Sequence, residues 1–333
     1  IYYHFARYFD AAVDVPVAVL RTMDRAEQRR RVADHGAARS AGRASLKMNH
    51  AGWLAIQRGD ADPASYRPTE ELFTADGKIY GVLLHPEGKR YGTEINGTRE
   101  SGWGDGQNRD FQQTAPFHAV RSDLPLEQAI DAGLAAAKSN PRLAKDLRAG
   151  VSHAQMVFWM RELTEIVLLD YLFSQQDRVG NVDYLPYWYW IDNGEVQRRR
   201  ATGASPPVDL VDRSPQLLKR TELGDNDAGV RVSYANFAKR TGMLEGWRHI
   251  SATTYERLAN LAADFAQKGP LHEYVRTTFG LSEREFAQVA ANVASAATTL
   301  RQACESGHLQ FDLEPHEYLR KGSVAGKTVN CSP

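Results

Sequence analysis

Asp177 and Asn181 bracket the stretch Asp177-Arg178-Val179-Gly180-Asn181, which sets a carboxylate and an amide on one turn at the end of an apolar helix. Metal-assisted phosphoryl transfer uses such a pair. The carboxylate orients a substrate hydroxyl, the amide helps to hold Mg²⁺, and a second carboxylate must reach the same ion from elsewhere. Leu223-Gly224-Asp225-Asn226-Asp227-Ala228-Gly229-Val230 offers that carboxylate, with three metal-competent side chains in a row and no hairpin to account for them. Asp192 is the second choice, because Asn193-Gly194 already has a sufficient explanation as a turn between Trp190 and Val196. Each group also has a plainer reading. Asp177-Arg178 suits a helix end, where Arg complements the helix dipole, and Asp225-Asn226-Asp227 suits an ordinary Asx turn.

The elements that must carry these residues can be read from periodicity and punctuation. Ile1 to Val13 reads as a helix and Val15 to Leu20 as a short strand with Pro16 near its start. Arg25 to Asp34 reads as an exposed charged helix, whereas Ser40 to Pro68, mixed in Gly, Asp and Pro, gives no clear pattern. Lys78 to Leu84 and Lys89 to Ile95 read as two strands of a hairpin reversing at His85-Pro86-Glu87-Gly88. The glycine-rich stretch Asn96 to Gln113 lacks the Gly-Lys-Ser/Thr ending of a phosphate loop and reads as a loop. Leu126 to Ala137 is an Ala-rich helix. Ser152 and Gln155 form a capping box at the head of a long helix ending near Phe173, with a stripe through Val157, Met160, Leu163, Val167 and Tyr171 facing a core. That helix delivers Asp177 to its loop. The run Tyr187-Trp188-Tyr189-Trp190 reads as packing within a strand, Asp192-Asn193-Gly194 as a hairpin turn, and Leu217 to Leu223 as the strand leading into Asp225. Thr253 to Ala266 and Ser282 to Cys304 read as amphipathic helices, the second headed by Ser282 and Glu285.

Helix, strand, hairpin, long apolar helix, Asp-Arg loop with Asn, strand pair, Asp-Asn turn and helices: this order resembles an atypical protein-kinase-like fold. It is most similar to the branch holding the HipA toxin kinases, the CotH spore-coat kinases, the secretory-pathway casein kinases and the type II phosphatidylinositol 4-kinases. The resemblance covers roughly residues 1 to 265 and implies an α+β fold, with residues 1–95 as the remainder of an N-terminal lobe and 96–333 as a mainly helical catalytic lobe. It implies Asp177 as the catalytic residue, Asn181 and Asp225 as groups binding the ATP-bound metal, and Asp227 as a close competitor of Asp225, with Mg²⁺ or Mn²⁺ and ATP as cofactors. Asn181 stands four residues after Asp177, where five is the commoner kinase spacing. The glycine loop, strand Lys and paired helix Glu of kinases are not visible, so the resemblance implies that they precede Ile1. Lys47, in Leu46-Lys47-Met48, is the internal alternative.

The resemblance leaves the acceptor open as a hydroxyl-bearing protein or small molecule, and related folds also transfer AMP. A pseudokinase or binding module without chemistry is the competing reading, and a metal-dependent phosphoester hydrolase a third. Composition narrows the field. In 333 residues, 41 basic side chains balance 41 acidic ones, so no overall field favours nucleic acid, and Arg29-Arg30-Arg31 and Arg198-Arg199-Arg200 read as solvated faces. No run approaches the roughly 20 apolar residues of a membrane helix. His4, His50, His85, His118, His153 and His249 show no paired metal spacing, and no Gly-x-Ser-x-Gly elbow occurs. The two cysteines, Cys304 and Cys331, would imply an oxidising periplasmic or secreted setting if paired; as free thiols they leave a cytoplasmic one open.

Overall fold

The computed structural model describes residues 1–65, 72–84 and 88–331, and the protein is α+β. Two compact units divide the chain: one is residues 17–85, the other is residues 1–16 together with 86–333. The N-terminal segment therefore groups with the large unit and not with the residues just after it. Its helix Tyr2–Phe9 is shorter than expected, ended by Asp10 in the left-handed region, and its aromatic face enters the core through Tyr2, Phe5 and Phe9.

In the small unit, strand β1 (Ala18–Met23) runs antiparallel to β2 (Ile79–Leu84), register Ala18 to Leu84. β1 starts three residues later than the apolar run suggested. The stretch that gave no pattern holds a helix, Lys47–Ala61, whose Asp60 is buried and accepts from Arg25 Nε at 3.1 Å. Gly52, Gly59 and weak amphipathicity hid it.

The large unit is built around the helix His153–Phe173, buried along its whole length from Ala154 onward rather than along one stripe. A helix buried on every side belongs inside a core, and its Arg161, Glu162, Glu165 and Asp170 are each ion-paired there. Ser152 caps it by accepting from Gln155 N at 3.1 Å, but the expected capping box is half formed, because the Gln155 amide turns away to the neighbouring sheet. That sheet has β4 (Asp183–Asp192) at its centre. β3 (Lys89–Arg90) and β5 (Glu195–Arg200) pair with β4 in succession, and β6 (Gln216–Glu222) pairs with it too. The β4–β5 turn is the expected one, with Asn193 at φ 51° and Gly194 at φ 81°, the two positive values that a type I′ turn requires.

The hairpin expected between residues 78–84 and 89–95 does not form. β2 takes β1 as its partner and β3 takes β4. Beyond Arg90 the chain bends into a helical turn, Thr93–Asn96, because Asp146 accepts from both Thr93 N and Thr93 Oγ1 at 2.8 Å. Of the expected reversal, residues 85–87 lie outside the described residues. The stretch read as a loop between residues 96 and 113 holds a helix as well, Asp105–Phe111.

The outer side of β6 is met by side chains instead of a strand. Gln155 donates to Lys219 O at 2.8 Å and accepts from Lys219 N at 2.7 Å, and Glu162 accepts from Thr221 N at 3.1 Å. The backbone of Asp14 completes the row, donating to Thr221 O at 3.0 Å and accepting from Leu223 N at 2.8 Å. Arg220 ion-pairs with the buried Glu162 at 2.5 Å. Toward the C-terminus, Ala252–Ala266 and Glu283–Glu305 close the core, the latter headed by a complete capping box of Ser282 and Glu285. Cys304 and Cys331 form a disulfide that ties the tail to this helix. Among the described residues no helix is long and apolar enough to cross a membrane.

Candidate active site

The helix His153–Phe173 ends at Ser174, which adopts a left-handed conformation (φ 53°) and whose hydroxyl takes hydrogen bonds from Asn236, Gln288 and Asn292. Three amides thus fix where the chain leaves the helix. Val179 and Val182 then drop into the core and pin the loop that runs from Ser174 to Val182. Within that loop Asp177 donates its backbone N–H to Gln175 Oε1 at 3.0 Å and accepts from Asn181 Nδ2 at its carbonyl at 2.8 Å. Its carboxylate is half-buried and has no hydrogen-bond or ion-pair partner among the described residues. A carboxylate held by its backbone and left open at its head can receive a proton or orient a hydroxyl.

Arg178 is the strut. It is buried, binds Asp170 in bidentate fashion at 2.8 and 2.9 Å, and reaches across to the second motif, donating to Asp225 O at 2.8 Å and Asn226 Oδ1 at 2.7 Å. Burial works against its charge, yet the Asp170 carboxylate holds the guanidinium more firmly protonated than usual. Tyr2 completes the group by donating to Asp170 Oδ1 at 2.7 Å. Two further bonds join loop to turn, Gln176 N to Ala228 O at 2.9 Å and Gln175 Nε2 to Asp225 O at 3.3 Å. The two motifs, about fifty residues apart in sequence, thus form one knitted structure.

Asp225 and Asp227 stand within hydrogen-bonding reach of each other. Burial, the Asp227 carboxyl and its charge push the Asp225 carboxyl up to about 6, Arg178 pulls the other way, and Asp177 is near enough to add to the rise. Three carboxylates therefore share one electrostatic neighbourhood.

The other candidates are placed differently. Asn181 directs its Oδ1 to the guanidinium of Arg90, which also holds Gly180 O and pairs with Asp183, so the amide is engaged on both sides. Asp192 stands at the turn end of β4, a strand that begins at Asp183, beside the loop; ten residues of strand span roughly 30 Å. There its carboxylate pairs with Arg213 at 3.0 Å. Lys47 opens the helix Lys47–Ala61 in the small unit and is exposed. Among the described residues no three His, Cys, Asp or Glu side chains gather as a ready metal cage. Two carboxylates are nevertheless a set of the size Mg²⁺ uses when substrate phosphates and water supply the remaining ligands.

Arg178, Asp170, Tyr2, Arg90 and Gln175 escape a reading by motif. Arg178 lies inside the motif, but its role depends on a partner eight residues back and another forty-seven ahead, and no local spacing announces either. Arg99 is a further case: its guanidinium lies over Gly180, where a Cβ would overlap it, and Gly180 itself has φ 92°. Only glycine suits that position on both counts. No protein-family profile, curated protein or solved structure matches this chain.

Proposed function

We propose that this protein is an ATP- and divalent-metal-dependent phosphotransferase of the atypical kinase-like type. One observation supports the reading above the rest: Asp225 and Asp227 are held together beside Asp177, although burial first, and then the neighbouring Asp227 carboxyl, push the Asp225 carboxyl up to about 6. A fold keeps like charges in contact when a cation is to sit between or beside them. The order of long buried helix, Asp-Arg loop, β4–β5 hairpin, β6 and acidic turn is also the one on which the resemblance to a kinase-like catalytic lobe rests.

In this reading Asp225 and Asp227 hold Mg²⁺ or Mn²⁺. The ion supplies charge neutralisation on the nucleotide phosphates. Asp177 orients the acceptor hydroxyl and takes its proton as the oxygen attacks. Arg178 fixes the distance between that carboxylate and the acidic turn, which matters because in-line transfer depends on positioning. Asn181 joins the metal ligands only by releasing Arg90. The acceptor is a hydroxyl-bearing protein or small molecule, and transfer of AMP in place of phosphate would use the same groups. The Cys304–Cys331 disulfide favours an oxidising, extracytoplasmic setting.

The engagement of Asn181 by Arg90 favours a second reading, a nucleotide- or partner-binding module without turnover. Asp177→Ala and Asp225→Ala separate the two. ATP consumption with Mn²⁺ is measured in wild type and both variants, beside calorimetric titration of ATP. A fall of at least about a hundredfold in both variants is expected, the usual scale for a lost acid–base group. Turnover that survives in both variants refutes the assignment, and metal-dependent ATP binding without turnover in wild type selects the binding module.

A further inference from the structure

Away from the acidic turn, the large unit holds a cavity of about 700 Å³ between the turn after Gly97, the helix Ala115–Val120 and the junction of Leu126–Lys138 with Pro141–Asp146. Its volume lies in the range that takes a whole small molecule. Gln113, His118, Asn140 and the Glu100–Arg142 ion pair contribute its polar wall, and the buried Leu143 lies at its floor. No described residue gives the His118 imidazole or the Gln113 amide a hydrogen-bond partner, and Asn140 spends its Oδ1 on capping Arg142 N while its Nδ2 stays free.

The chemistry of that wall is specific. Burial, and the charge of Arg121, lower the tendency of His118 to protonate, so its ring offers one donor and one acceptor. Gln113 offers the same pair, and Asn140 a donor. Glu100 and Arg142 neutralise each other across the rim, leaving neither a phosphate clamp nor a naked carboxylate. No Phe, Tyr or Trp lines the cavity among the described residues, so a nucleobase would find only the small His118 ring to stack on. A ligand matching these groups carries no net charge, presents donors and acceptors alternately, and has aliphatic C–H groups for Leu143 and Pro141.

We propose that this cavity is a binding site for a neutral polyhydroxylated molecule of mono- or disaccharide size. Its hydroxyls exchange hydrogen bonds with His118, Gln113 and Asn140, and the Glu100–Arg142 pair closes the rim. The site does not rest on the phosphotransferase reading, and it is tested by binding alone.

The full chain is titrated by saturation-transfer NMR and calorimetry with glucose, galactose, maltose and myo-inositol, with glucose 6-phosphate, gluconate and adenosine as comparisons. The expected result is saturable binding of at least one neutral polyol, weakened about tenfold in Gln113→Leu and in His118→Ala, the cost of one good hydrogen bond each. Gln113 is exposed, so its variant reports even if the half-buried His118 position does not tolerate Ala. Failure of every neutral polyol to bind, preference for the anionic compounds or for adenosine, or equal affinity in Gln113→Leu overturns the proposal.

Discussion

Replacing Asp227 by Asn leaves the size of the side chain nearly unchanged and removes one of the two neighbouring charges. Asp225 moves from the ordinary aspartate value of 3.8 to about 6, a shift of roughly two units. At about 1.4 kcal/mol per unit this is an upper bound near 3 kcal/mol, and for a half-exposed carboxyl solvent screening reduces it to about 1–2 kcal/mol. The sign comes from linkage: a carboxyl with a folded-state value above its unfolded one is no burden below pH 3.8, and its stabilising protonation is lost as pH rises through 6. Burial is the larger cause and survives the substitution, so Asp227→Asn returns only part, about 0.5–1 kcal/mol, at pH 7.5 and nothing at pH 4. For a unit of this size that is a rise in Tm of about 1–2 °C at pH 7.5. Differential scanning calorimetry at the two pH values reads it directly. Millimolar Mn²⁺ at pH 7.5 should raise the wild-type Tm and leave Asp225→Asn unmoved, since a cation stabilises only a state that binds it. An equal shift of Asp227→Asn at both pH values, or a lower Tm at pH 7.5 alone, would refute electrostatic crowding in the acidic turn.

Two other substitutions probe what holds the site. Arg178→Met strands the buried Asp170 carboxylate with Tyr2 as its remaining hydrogen-bond donor and should cost about 3–5 kcal/mol, while the double variant Arg178→Met, Asp170→Leu should recover much of that in urea unfolding; additive losses would show that the pair does not act as a unit. Cys304→Ser opens a 27-residue loop, for which chain entropy gives about 3.5 kcal/mol, and reduction of the wild type should lower its Tm by the same amount as the substitution.

The parts legible in the sequence were those with local causes. Asn193-Gly194 specifies its turn through backbone conformation, and Ser282 with Glu285 specifies a helix start through two reciprocal hydrogen bonds. The length and position of His153–Phe173 were equally plain, though its burial on every side was not, because Arg161, Glu162 and Glu165 look solvent-facing until Arg220 and the Val13 backbone are brought to them from afar. Residues 91–95 alternate like a strand, and only Asp146, fifty-three residues on from Thr93, turns them into helix. The carboxylates of the candidate site could be read from their motifs. Its scaffolding could not, since Arg178, Arg90 and Arg99 act through partners that sequence distance conceals.

The side chains lined along β6 have a consequence for how the molecule meets copies of itself. An outermost strand usually offers a row of free N–H and C=O groups on which a foreign strand can nucleate. Here Gln155 occupies both groups of Lys219 as a neighbouring peptide would, Glu162 takes the N–H of Thr221, and the Asp14 backbone takes the Thr221 carbonyl and the Leu223 N–H. On this stretch of β6 the partners come from the helix His153–Phe173 and from Asp14. From Lys219 to Leu223 that border has no backbone group left to offer a foreign strand, so Gln155 guards the edge as well as the packing.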